Sequence, residues 1–582
     1  MEIKRKVLLW TGIFIIAIAA LGVSSVFAAE IAEIPRSEAL YFNGLQWGPP
    51  TNFNRLSGNA AWPAGGGVWN ETLYETLFLY NMLTGESEPF IAKEAKWVDE
   101  YTLRIDLRDD VHWQDGKPLT SDDVVYTFEL AKKYPLAYSN FWLYVDEVFT
   151  VGPYTVGIRL KKDNPNKLVI ADQLIDTSIL PKHIWTQIEK DCNYDIKKIR
   201  EFKNENPVGS GPYTVYYYSP EKIVLKRYED YWGKSLFGKL PVPKYLVHPI
   251  FKSNDAGNLA FEKAQIDMGQ QFVPQVWKMW EKGLPVGTWY KHEPYYVPAS
   301  TPSLWFNLKK HPLDVPEVRR AIAYCIDYKK VAELAMTKYS PTANASLILP
   351  FGAEEKYFDE DRVKTYGWEY NPKKSIELLE SIGAKKGKDG IYVLKDGTRL
   401  GPFKVECPYG WTDWMVSLEI VAESAKKVGI EINTYFPDQP VAYDDRYTGN
   451  FDMTMWTPAG TPSPSQPWSR FYEVMYSKDV APIGEVTFRN FGRYGNTRVD
   501  ELLEKIPTVT DESELKKLYA ELDQIYMKDV PIIVLEYRPW MFYEYNETYW
   551  TNFPNEENPY APPQICIAGA GIKALYQIRP VK

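Results

Sequence analysis

The stretch that most restricts the fold is a strand, a turn and a helix in immediate succession over residues 401–429. In 401–408, Phe403, Val405 and Cys407 alternate with Lys404 and Glu406, the period of a half-buried strand. Tyr409-Gly410-Trp411-Thr412-Asp413-Trp414 follows. Met415, Leu418, Val421, Ala422, Ala425 and Val428 then recur at spacings of three and four, which predicts an amphipathic helix. Thr412 or Asp413 is placed to cap that helix and Gly429 to end it. A second strand over 430–436 completes a βαβ unit, and in such units ligands lie beyond the carboxyl ends of the strands. Trp411 and Trp414 stand there in a polar loop. Each reads either as a core aromatic or as a flat apolar face offered to a ligand.

One core cannot serve 582 residues, so two or three domains are expected. A net charge of −9 and the lack of a basic aromatic stripe speak against nucleic acid as a partner. The anomaly is aromatic: 20 Trp and 42 Tyr suit large cores, and equally suit sugar rings, whose C–H faces stack on indole.

The N-terminus reads as an export signal. Lys4-Arg5-Lys6 precedes an apolar run over 7–23, and Val26-Phe27-Ala28 offers small residues for cleavage after Ala28. An uncleaved anchor is the alternative, because the run is long. The mature protein is expected outside the cytoplasm, periplasmic or on the extracellular face of the membrane. Cys192, Cys325, Cys407 and Cys566 show no metal spacing. Cys325 and Cys407 fall on predicted core faces, and a Cys192–Cys566 disulfide is permitted by the compartment without being indicated by anything else. The five histidines are dispersed, so no metal site is expected, and no cofactor is called for.

Near the start of the mature chain a short strand ends at Gln46-Trp47 and enters Gly48-Pro49-Pro50. Asn52 and Asn54 follow, amides that both donate and accept hydrogen bonds as hydroxyl recognition requires, or that satisfy turn backbone. Trp62 precedes Gly65-Gly66-Gly67, a run without a Walker pattern that reads as a flexible turn. Residues 69–80 read as a helix. Residues 101–107 alternate as a strand, 111–116 lead into an Asp-Gly turn, and Thr120 with Asp123 opens a helix over 124–133 in the manner of a capping box.

The run 97–127 closely resembles the signature of the family 5 extracellular solute-binding proteins, the dipeptide and oligopeptide class that serves ATP-driven importers. The resemblance continues in Asn206-Pro207-Val208-Gly209-Ser210-Gly211-Pro212-Tyr213, in 259–267, in 311–327 with Pro316 at the first turn of a helix, in 371–379 and in 511–531. It implies an α/β periplasmic binding protein of the cluster C-like, three-domain type, with two lobes and a hinge. By family analogy domain I takes residues 29–75, 205–296 and 536–582, domain II 76–204, and domain III 297–535. Closure on the ligand and delivery to a membrane permease of an ABC importer are implied, by a monomer with no catalytic residues.

Peptide-binding members carry an aspartate for the peptide ammonium after a domain III strand. The matching strand here is 450–456, and residues 457–468 contain no acid. An unpaired buried ammonium is costly, so an oligopeptide is disfavoured. Residues 409–415, 283–291 and 228–234 are similar to the oligosaccharide-binding branch found in thermophilic bacteria, which implies a β-linked gluco- or manno-configured chain. The expected ligand contacts are Gln46, Trp47, Asn52, Asn54, Trp62, Trp411, Asp413, Trp414 and Trp456, with Trp232, Trp289 and Trp305 left to the core or hinge. Asp413 serves as a helix cap, a sugar ligand or both. A secreted glycoside hydrolase is the reading from another class, but no pair of facing carboxyls stands out.

Overall fold

A computed structural model describes residues 34–581 apart from 45, 47, 59, 67–69, 459–466, 540 and 566–567. The segment expected to be an export signal, Trp47 and Cys566 therefore lie outside the described residues. Three sheets organise the chain. The largest has seven strands in the order Val286–Thr288, Glu544–Asn546, Met268–Gln270, Ala39–Gly44, Tyr245–Pro249, Lys222–Arg227 and Tyr213–Ser219. A four-stranded antiparallel sheet joins Ala92–Trp97, Thr102–Leu107, Thr155–Leu160 and Val145–Gly152. A five-stranded sheet runs Ile432–Tyr435, Phe403–Glu406, Met453–Trp456, Ser303–Phe306 and Ile532–Val534.

The two most distinctive sequence runs meet in space. Gln114, in the His-Trp-Gln-Asp-Gly turn, donates its side-chain amide to the carbonyls of Gly211 and Tyr213 at 2.9 and 2.8 Å and accepts from the Gly209 N–H at 3.1 Å. The main chain of 209–213 also pairs with Thr72 and Leu73, and a Cβ on Gly209 would stand 1.8 Å from the Leu73 carbonyl oxygen. Only glycine allows that approach. The same pairing explains why residues 70–77 are turns rather than the expected helix: their carbonyls are taken by Gly211 and Tyr213, and Phe78–Asn81 goes on as a strand against Glu86–Pro89. The capping box forms as expected, with the Asp123 carboxylate accepting from the Thr120 N–H at 2.9 Å ahead of the helix Ser121–Lys133. Pro316 opens the helix Pro316–Cys325, and Cys325 and Cys407 are buried.

The glycine run is packed rather than flexible where it is described. A Cβ would stand 2.8 Å from the Phe53 carbonyl oxygen at Gly65 and 2.0 Å from that of Ala60 at Gly66.

Burial has left three carboxyls among aromatics and main chain. Glu75 accepts from Tyr231 Oη and Trp232 Nε1 at 2.6 and 2.8 Å, Glu71 from the Gly569 N–H, and Glu544 from the Gln271 N–H. With Glu536 they are pushed up to about 8, chiefly by loss of hydration. Folding therefore takes up protons that the unfolded chain sheds above its carboxyl range, so this contribution is complete below about 4.5 and is lost as pH rises toward 8. His248, buried and lowered to about 4, acts in the opposite sense, but only below 6.5. The thermal midpoint is expected to fall between pH 6.5 and pH 8 in scanning calorimetry. A midpoint that climbs over that interval contradicts these protonation states.

Candidate ligand site

The βαβ unit forms as the periodicity predicts, with narrower bounds. Phe403–Glu406 pairs in parallel with Ile432–Tyr435, the helix between them is Thr412–Lys427, and Gly429 ends it at φ +85°. Phe403–Glu406 also pairs in parallel with Met453–Trp456, Glu406 opposite Thr454. Trp456 thus reaches two residues past the end of its neighbour, level with the turn that delivers Trp411. Parallel register is what brings residues 45 apart in sequence to one edge.

There the three tryptophans assemble. Trp411 and Trp456 lie near parallel, centroids 6.2 Å apart at 27°, and Trp414 stands edge-on to both at 4.7 and 5.9 Å. Trp411 and Trp456 are partly exposed, whereas Trp414 is 5% exposed and packs inward. Behind them the helix Gln439–Thr448 presents Tyr443, Arg446 and Tyr447. The Arg446 guanidinium lies 3.4 Å from the Trp456 centroid and within 5.2 Å of the rings of Tyr443, Tyr447 and Phe491. Its pKa is lowered by burial, against the neighbouring tyrosines and Glu473. A buried cation over an indole face fixes that ring's tilt. The spacing i, i+3, i+4 of these three residues was visible in the sequence, but nothing in it said which strand end the helix faces.

Asp413 does not cap the helix through its side chain. Trp411 occupies the cap position without a side-chain bond, and Asp413, 3% exposed, accepts from Arg538 Nε at 2.7 Å. Beside it Glu536 accepts from Ser417 Oγ at 2.9 Å, and burial followed by the Asp413 charge raises it to about 8. One carboxylate of this wall is thus paired with a guanidinium, and the other is protonated at neutral pH.

The remaining expected contacts form a second group. Gln46 accepts from the Trp62 N–H at 3.0 Å and donates to the Gly48 carbonyl at 2.7 Å. Asn52 accepts from the Asn54 N–H and from Ser57 Oγ at 3.0 Å each. Asn54 and Trp62 need correction. Asn54 is fully buried, its NH2 group donating to the Ile199 and Phe202 carbonyls at 2.6 and 2.8 Å and its oxygen accepting from the Leu56 N–H, so its polar atoms are spent on main chain. Trp62 is a core ring, 3% exposed, edge-on to Phe42 and His248. Trp232, Trp289 and Trp305 are buried, as expected of core residues.

The pattern of the bacterial extracellular solute-binding proteins, family 5 (middle region), matches residues 86–481. The structure superimposes with a TM-score of 0.84 on a mannohexaose-bound periplasmic oligopeptide-binding protein of an ABC transporter from Thermotoga maritima. The two are 35% identical, over 94% of this chain and 99% of that one. The oligopeptide-binding protein AppA of Bacillus subtilis is 25% identical over 503 residues, covering 81% of this chain and 85% of that protein. A probable peptide-binding protein, YejA, of Agrobacterium fabrum is 23% identical over 495 residues, 79% of this chain and 77% of its own length. Members of this family are solute-binding proteins rather than enzymes, act in the periplasm or outside the cell, and deliver ligand to the membrane permease of an ABC importer. Among the described residues no helix is long and apolar enough to cross a membrane. A mixed α/β chain with an aromatic wall at the carboxyl ends of parallel strands, matched along most of its length by that pattern, belongs to the family 5 bacterial extracellular solute-binding proteins.

Proposed function

We propose that the protein captures a β-linked oligosaccharide, gluco- or manno-configured, and presents it to its importer. The ligand would lie between a lobe of residues 29–296 with 536–582 and a second lobe of residues 297–535. The observation that carries this reading is the character of the wall. Two partly exposed indoles lie near parallel at 6.2 Å, steadied by Arg446, while the acids beside them are paired or protonated. Such a surface offers stacking and neutral hydrogen bonds and has no carboxylate to spare for a peptide ammonium. The mannohexaose held by the Thermotoga relative supports it. Gln46, Trp47 and Asn52 are the proposed contacts of the facing wall, and the exported, monomeric state belongs to the same proposal.

The names of the two curated relatives favour a peptide instead. Calorimetric titration of β-1,4-linked gluco- and manno-oligosaccharides of two to six units, beside di- to nonapeptides, separates the two readings. Saturable heat with an oligosaccharide and none with peptides is expected. Heat with peptides alone would overturn the proposal, and shortening of the sugar chain on incubation would make the protein a hydrolase.

A further inference from the structure

A cavity of about 470 Å³ lies between the loop carrying Arg55 and the helix Lys167–Asp176, and no ring of the tryptophan wall lines it. Its inner end is made of buried residues, Leu56, Ser178 and Leu180, while Ala137 and Arg200 at its mouth are exposed. It is in the size range of small-molecule sites. Ser57 and Arg200 also line an adjoining groove of about 500 Å³ that includes Asn52.

Its polar groups are mixed in sign and incompletely used. Arg55 donates to the Gly65 carbonyl at 3.2 Å and faces the Asp176 carboxylate, so the sac carries both signs of charge. Gln173 accepts from Thr177 Oγ1 at 2.8 Å, and its NH2 group has no partner among the described residues. Ser178 is 6% exposed, and its hydroxyl likewise has none. A hydroxyl and an amide donor left open to a half-apolar sac are groups that a sugar's vicinal hydroxyls can satisfy. The sac also adjoins the chain that continues past the wall: Asp172, next to Gln173, accepts from Ser469 Oγ at 3.3 Å, one residue beyond Trp468.

Resting on the oligosaccharide reading, we propose that this sac is an end subsite, which receives the terminal pyranose ring of the bound chain through Ser178 and Gln173. The binding of a chain long enough to reach it then depends on the sac, and the binding of a disaccharide does not. The test uses the full protein, β-1,4-linked di- and hexasaccharides of the sugar that binds best, and two variants: Gln173→Ala, which removes the donor, and Ala137→Trp, which blocks the exposed mouth. Hexasaccharide affinity is expected to fall at least fivefold in each, with disaccharide affinity and thermal midpoint unchanged. Unchanged hexasaccharide affinity in both variants overturns the end subsite, and so does an equal loss for both lengths. Failure of the underlying reading looks different: the unaltered protein then binds no oligosaccharide of any length, and the end subsite falls with it.

Discussion

Replacing Glu354 by alanine is expected to destabilise the protein by about 3–5 kcal/mol, read as a lower urea midpoint. Arg470 is fully buried and held by Glu354 through two parallel bonds, Nη1 to Oε2 at 2.8 Å and Nη2 to Oε1 at 2.9 Å. Glu354 Oε2 also accepts from the Leu349 N–H at 3.0 Å, and Arg470 Nη1 donates to the Leu347 carbonyl at 2.8 Å. Removing the carboxylate leaves a guanidinium in the core with one carbonyl to answer it. The helix Trp468–Met475 that bears Arg470 also bears Ser469, so the variant loosens the segment touching Asp172 as well. A loss below about 1 kcal/mol would mean that water reaches Arg470 and replaces its partner.

Trp411→Ala is the second large effect, this time on binding. It removes one ring of the partly exposed parallel pair while leaving Trp414 and the Arg446 contact to Trp456 in place. Oligosaccharide affinity is expected to drop by about 1–3 kcal/mol, roughly 5- to 150-fold, with little change in thermal midpoint. Trp414 is the wrong probe for this purpose: at 5% exposure its truncation opens a core cavity costing about 3–5 kcal/mol of stability. If Trp411→Ala lowers stability and spares affinity, the ring belongs to the core and the ligand lies elsewhere.

The βαβ unit was legible because its information is local: alternation in the strand, three-and-four spacing in the helix, a glycine to stop it. The meeting of Trp411 with Trp456 was half legible, since both stood at strand ends while the parallel register joining those strands did not show. Asn54 and Trp62 were misread for one reason. Their partners Ile199, Phe202 and His248 lie more than a hundred residues along the chain, so a turn amide and a core ring looked like ligand groups. Arg538, which claims Asp413 from 125 residues away, was hidden in the same manner. The helix expected over 69–80 failed because its carbonyls were already promised to Gly211 and Tyr213.

The seven- and five-stranded sheets are joined by two passages of chain, one between Val286–Thr288 and Ser303–Phe306, the other between Ile532–Val534 and Glu544–Asn546. Those passages pair with each other along Pro298–Ser300 and Arg538–Pro539. Two passages laced together in this way would leave rotation about the lacing as the easiest relative movement of the two sheets. Arg538 is a stitch of that lacing, and its other hand grips Asp413 at the root of the tryptophan wall. The wall is therefore tied to the lacing. A sugar resting on Trp411 would sit two residues from an ion pair rooted in that lacing, so any such rotation would reach it as torsion at its own seat.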